Sequence, residues 1–174
     1  APTMPGIAVR AIGADLVASL AQLQWVVNGY LLTLASLVLV SGALGDLRGR
    51  RQLYVVGIAW FALASIACAL APTATALIIA RAVQGVGAAL LTPGALAVIQ
   101  SSFVPEDRPA AIGTWAGVSG IATAVGPFVG GFLLDHGGWR GIFAINVPVA
   151  AVVIALTLRY VPESRDPEAD GRLD

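Results

Sequence analysis

Arg81 stands alone in a long uncharged stretch. Residues 52–80 before it and 82–105 after it contain no Asp, Glu, Lys or Arg. A guanidinium stays protonated at any relevant pH and carries five donors. Inside an apolar segment it must therefore face a cavity or a polar partner. Gln84 and Gly85, three and four positions on, share its helical face. Gly85 and Ala89 then form a small-xxx-small strip for close helix contact. The alternative is a snorkelling side chain, since Arg81 lies only about six residues past the outer start of its helix. A second cluster is Gly42-Ala43-Leu44-Gly45-Asp46-Leu47-Arg48-Gly49-Arg50-Arg51. Here the chain must reverse within a few residues, and Gly49 supplies the permissive backbone. Gly42 and Gly45 allow close approach of another helix, and Asp46 can pair with a neighbouring arginine while meeting a helix terminus. The bland alternative is a basic loop that only sets orientation. A third cluster places Gly113, Gly117, Gly120 and Ala124 on one helical face, followed by Gly126-Pro127 and Gly130-Gly131. Pro127 removes a backbone donor and is expected to bend that helix. The cluster reads either as tight bundle packing or as a packing surface in a moving protein.

Other chemistry lacks support in the sequence. His136 has no Ser or Cys nucleophile pattern beside it and reads as a solvated loop residue, so no enzyme is expected. The single cysteine, Cys68, sits in an apolar run and reads as packing. No metal-ligand cluster and no cofactor motif is present. The phosphate-cradling loop of Gly-x-x-x-x-Gly-Lys-Ser/Thr type is missing, so direct ATP drive is unsupported.

The elements that must position these residues follow from composition. Of 174 residues, 57% are hydrophobic and only 11% are charged, with a mean hydropathy of +0.84. Soluble domains carry about 25% charged residues, so this chain could not cover a soluble globule's surface. The formal net charge is zero, which leaves no basic field for nucleic acid. All basic residues are Arg and none is Lys, a compositional bias.

The charges are gathered between charge-free runs at 16–45, 52–80, 82–105, 109–134 and 141–158. A membrane-spanning helix needs about 20 apolar residues. The runs predict five spans over 23–44, 53–71, 75–99, 110–134 and 141–160, apolar on all sides. Short links join them: Asp46–Arg51, Pro72-Thr73, Pro105–Pro109 and Asp135–Arg140. No alternating pattern suggests a barrel. With 46–51 inside, Arg48, Arg50, Arg51, Arg108, Arg159, Arg165 and Arg172 all face the cytoplasm, and only Arg140 and at most Arg10 face outside. That asymmetry satisfies the positive-inside rule. Trp25 and Trp139 are expected in an outer aromatic belt, Tyr54, Trp115 and Tyr160 in an inner one, and Trp60 in mid-span packing. The predicted fold is all-α integral membrane. Residues 1–15 would be the outer end of an earlier helix, 16–160 the bundle, and 161–174 a cytoplasmic linker tail.

These stretches together resemble the major facilitator superfamily, in its drug:proton antiporter branch with fourteen spans. Residues 42–51 are similar to the superfamily's loop signature between helices two and three. Leu77 to Ala89, with Arg81, Gln84, Gly85 and Gly87, resembles its helix-four motif. Gly126-Pro127-Phe128-Val129-Gly130-Gly131 resembles the helix-five antiporter motif. Gln24 to Tyr30 and Trp139 to Pro148 resemble further stretches of that branch. The resemblance covers nearly all of 8–165, and the five spans would be family helices two to six.

The resemblance implies roles. Asp46, Gly49 and Arg50, flanked by Gly42, Gly45 and Arg51, would form a cytoplasmic latch. Arg81, Gln84 and Gly85 would serve proton coupling or a polar network in the cavity. Gly117, Gly126, Pro127, Gly130 and Gly131 would pack against the second half. The partners implied are the lipid bilayer, a carboxy-terminal half, a small lipophilic substrate and protons. Localisation would be a bacterial cell membrane, with several passes. The departures are equally plain. The family's first helix carries an acid and an asparagine, and the aligned positions here are Ala1 and Gly6; Arg10 stands where proline is expected. The expectation is an amino-terminal portion of an exporter. The alternatives are a non-transporting membrane protein that assembles with a partner, and a superfamily member moving another small solute.

Overall fold

The computed structural model describes residues 4–161; the side chains of 4–7, 46–48, 95–98 and 100–102 lie outside the described set. Among the described residues the chain forms six helices: α1 (Met4–Asp15), α2 (Leu20–Arg48), α3 (Arg50–Ala69), α4 (Ala74–Ser102), α5 (Arg108–Ala144) and α6 (Asn146–Tyr160). Leu20–Gly45, Arg50–Ala69, Ala74–Gly94 and Arg108–Ala144 are long and apolar enough to cross a membrane. Large side chains such as Leu39, Leu63 and Phe128 stand exposed along them. These exposed faces suit contact with lipid.

Local sequence sets the helix ends. Ser19 and Gln22 form a reciprocal capping box that starts α2, with Gln22 N–H on Ser19 Oγ at 3.3 Å and Ser19 N–H on Gln22 Oε1 at 2.9 Å. Thr73 starts α4 by accepting the Ala76 N–H at 3.1 Å. Between α2 and α3 a single residue, Gly49, turns the chain at φ 102°, a conformation that a side chain would strain.

α4 is the central helix, packed between α2 and α3, and small residues let it sit there. A Cβ on Gly85 would lie 2.6 Å from the Tyr30 carbonyl oxygen in α2, and one on Gly87 would lie 2.7 Å from the Phe61 nitrogen in α3. The two neighbours thus touch α4 backbone to backbone. Pro93 lies inside α4 and removes the N–H that would bond the Ala89 carbonyl. Ser41 of α2 brings a donor to it, with Oγ 2.6 Å from Ala89 O and 2.8 Å from Val38 O of its own helix. Trp60 also bonds across this contact, its indole N–H donating to Val83 O at 2.9 Å, although the ring is half exposed.

Three expectations are corrected here. The link expected over 135–140 is helical apart from Gly138, at φ 65° and ψ −175°. Pro127 keeps a helical backbone and the break in α5 falls at Gly138, because a proline removes one bond whereas a residue at positive φ reverses the chain's path. After that break Ile145 keeps helical angles, so 139–160 run on as the fifth apolar segment, of which α6 is the regular part. Trp139 does not stand in a belt. It is buried, at 3% exposure, in a cluster with Ile12, Val26, Cys68, Ala71, Leu77 and Ala80.

The Ser41 bond yields a prediction. Ser41→Ala should cost about 1–2 kcal/mol by orphaning the Ala89 carbonyl. In a Pro93→Ala background, where the helix regains its own donor, the same change should cost less than half as much. Thermal unfolding in mild detergent, run as a double-mutant cycle, measures both; equal costs in the two backgrounds would remove this explanation.

Candidate functional site

The site is built around Arg81, about 10 Å along α4 from its amino-terminal start at 1.5 Å per residue. Its Nε donates to Val26 O of α2 at 3.1 Å. Its Nη1 donates to Gln84 Oε1 at 2.6 Å. The guanidinium lies over the Tyr30 ring, 4.1 Å from its centroid, with the Phe143 ring 5.9 Å away. These contacts hold the guanidinium against α2 and the next turn of α4, and Arg81 is only partly exposed. Among the described residues no carboxylate faces it; carbonyl, amide and ring faces replace its water.

Gln84 carries the network inward. It is almost wholly buried, at 1% exposure. Its Nε2 donates to Ser65 Oγ of α3 at 2.7 Å. Asn146, the first residue of α6, donates to the same oxygen through Nδ2 at 3.2 Å. The Ser65 hydroxyl donates to Phe61 O at 2.8 Å, and the Cys68 thiol donates weakly to Gln84 Oε1 at 3.8 Å. Four helices, α2, α3, α4 and α6, are thereby joined through one polar chain. Beside it opens a cavity of about 590 Å³ bordered by Tyr30, Tyr54, Phe61, Thr92, Trp115 and Asn146. Mostly apolar walls with a few polar groups are the usual make-up of a small-molecule pocket.

The loop between α2 and α3 is built separately. Arg51 donates from Nη1 to Val161 O at 3.1 Å, capping the carboxy-terminal end of α6. Arg50 borders a small cavity of about 120 Å³ with Ser41, Gly42, Gly45, Leu53, Leu90, Pro93 and Gly94. Gly45 lies against Leu53, where a Cβ would meet Cδ2 at 3.5 Å. Asp46 belongs to α2, and its side chain lies outside the described residues.

The third cluster faces away from everything else. A Cβ added at Gly113, Gly117, Gly120, Gly126 or Gly130 would meet nothing within 4 Å, and none of the apolar window of α5 is buried. Pro127 shares that helix. The tightly packed bundle helix is thus not what the chain forms by itself. Of the expected site residues, Arg81, Gln84 and Gly85 come together around α4, while the loop residues and the α5 residues stand apart from them. Sequence reasoning missed Ser65, Asn146 and Tyr30 as members of the network. Their signal was there: a serine and an asparagine in otherwise apolar, charge-free runs.

The network itself is testable. Ser65→Ala leaves the Gln84 and Asn146 amides without their shared acceptor and should cost about 1–3 kcal/mol. Ser119 is exposed and its hydroxyl donates to Trp115 O of its own helix, at 2.8 Å. Ser119→Ala should therefore stay within about 0.5 kcal/mol of the parent. Detergent unfolding measures both, and equal losses would count against the network.

The profile of the Major Facilitator Superfamily matches residues 2–173 of the chain. The chain is 42% identical over 172 residues to the tetracenomycin C resistance and export protein of Streptomyces glaucescens, covering 99% of this chain and 32% of that protein. It is 43% identical to the methylenomycin A resistance protein of Streptomyces coelicolor, covering 91% of this chain and 34% of that one. It is 42% identical to the methyl viologen resistance protein SmvA of Salmonella typhimurium, covering 92% and 32% respectively. The chain spans about a third of the length of these relatives.

Proposed function

From the premise that the chain belongs to the Major Facilitator Superfamily, we propose that it supplies most of the amino-terminal helical half of a membrane exporter. That exporter would move drug-like or lipophilic compounds out of a bacterial cell in exchange for protons, in the fourteen-span branch. The observation that carries the reading is Arg81, a permanent charge at membrane depth held in fixed geometry by Gln84, Val26 and Tyr30. A charge so placed is costly and marks a substrate or ion pathway by default. Relatives named for resistance and export give the direction and the solute class.

The other clusters take roles within this reading. Asp46, Gly49 and Arg50 form a cytoplasmic latch at the one-residue turn between α2 and α3, and Arg51 ties that turn to the end of α6. The open face of α5, with Gly117, Gly126, Pro127, Gly130 and Gly131, packs against the second half of the transporter. Substrate lies between the halves. The reading competes with a non-transporting membrane protein that only assembles with a partner, which the same open face would also suit; Arg81 favours transport, since a purely packing role needs no buried charge.

In the complete transporter Arg81→Ala should abolish extrusion of a lipophilic cation driven by an imposed pH gradient in proteoliposomes. Arg81→Lys should retain only part, because an ammonium cannot reproduce the planar fork that meets Val26 and Gln84 together. Normal gradient-driven efflux by both variants would overturn the reading. Orientation has its own check. In a Cys68→Ala background, single cysteines at Glu106 and Gly137 should label from opposite sides of the membrane, with Glu106 inside. Labelling from one side would refute the proposed topology.

A further inference from the structure

Arg140 is the arginine that the charge asymmetry leaves on the outer side, and its contacts account for its place. Its Nη1 donates to Asp15 Oδ2 at 2.5 Å, and its Nη2 reaches Ala71 O at 3.4 Å. The guanidinium also lies over the Trp139 ring, 4.3 Å from its centroid. The Trp139 indole N–H donates to the same Asp15 oxygen at 3.0 Å. Asp15 ends α1, Ala71 follows α3 and Trp139-Arg140 follow the Gly138 break. One cluster therefore ties together the α1–α2 connection, the α3–α4 connection and the Gly138 break within α5.

We propose that Asp15, Trp139 and Arg140 form an outer clamp that locks these two connections to the break in α5, so that the segments they join move as one body. An isolated exposed ion pair contributes little. Here the pair is not isolated: the second donor to Asp15 is a buried tryptophan whose ring is part of the outer core with Cys68, Ala71 and Leu77. The Arg140 and Trp139 hydrogen bonds hold the Asp15 carboxyl below its ordinary carboxylate range. The corner that Asp15 anchors contains Val17 at φ 49°, a left-handed conformation that a β-branched residue keeps only when its surroundings hold it there. The clamp also connects to the interior. Trp139 meets Phe143 edge to face at 6.1 Å, and Phe143 in turn flanks Arg81. Opening the outer connections would release both the outer core and one wall of the Arg81 site.

Cys68 is the natural reporter, since it is the sole cysteine of the chain and fully buried in that core. The test is the rate at which a charged, membrane-impermeant methanethiosulfonate modifies it from the outer side of membranes holding the chain. Asp15→Asn and Arg140→Gln should each raise the rate by about tenfold, as local opening makes the thiol accessible. The double variant should match the singles. Exchanging the charges, Asp15→Arg with Arg140→Asp, should return the rate to within about threefold of the parent. A second reporter separates opening from unfolding. Thr157, buried near the inner end of α6, is changed to Cys in a Cys68→Ala background and should stay protected in the clamp variants. Single variants within about twofold of the parent rate would overturn the clamp. So would an exchanged pair as fast as the singles, or simultaneous exposure of both reporters.

Discussion

An arginine two turns into an apolar helix must find its solvation in the protein, and the internal geometry of the bundle is arranged around that requirement at Arg81. An uncompensated charge at membrane depth costs several kcal/mol. The chain meets the demand with a carbonyl from α2, an amide on the same face of α4 and two aromatic rings. Each choice passes a further demand outward. Gln84, by accepting from Arg81, must place its own NH₂ somewhere, and Ser65 takes it. Ser65 then accepts from Asn146 and donates to Phe61 O, which closes the account of hydrogen bonds on that hydroxyl. A single charge thereby fixes the relative positions of α2, α3, α4 and α6.

Such a network works only if backbones come close, because Gln84 and Ser65 are short reaches. Gly85 and Gly87 let α4 meet Tyr30 on one side and Phe61 on the other. The helices accept each other's loose ends as well: Ser41 bonds the carbonyl that Pro93 abandons. In lipid this mutual satisfaction replaces the hydrophobic drive that would hold a soluble bundle. α5 shows the converse. Its glycines at 113, 117, 120, 126 and 130 meet no neighbour, and its apolar window is exposed.

How much was legible in the sequence depended on the physics behind each feature. Long charge-free runs follow directly from bilayer thickness, so four long apolar helices could be read, as could Arg81 and its helical neighbour Gln84. The turn at Gly49 was visible because only glycine suits a one-residue reversal at positive φ. What stayed hidden were pairings between residues far apart in the chain. Asp15 and Arg140 read as two charges bracketing apolar runs, and nothing in their spacing says that they meet. Trp139 read as a belt residue because its position along the chain is right for one; only packing against Ile12 and Cys68 shows it buried. Gly138 was hidden within a Gly-Gly pair, and the more conspicuous Pro127 drew the expected bend.

Within the proposed exchange of substrate for protons, the network assigns Arg81 a particular kind of task. The apolar runs 23–44, 53–71, 75–99, 110–134 and 141–160 contain no Asp, Glu or His, and a guanidinium cannot release its proton at working pH. Arg81 is therefore a fixed charge and not a carrier. A fixed cation in a medium of low dielectric favours the ionised form of any carboxylate brought within about 4–6 Å and disfavours a second cation at the same place. A proton-carrying acid on another part of the transporter would then change its affinity for protons as it approaches or leaves Arg81. That coupling needs the charge to stay where it is while other parts move. The bonds to Val26 and Gln84, and the stacking over Tyr30, resist its displacement in three directions. Rigidity around Arg81 is thus part of how the site would work: a charge that followed its partner would exert nearly the same field in both states and couple nothing.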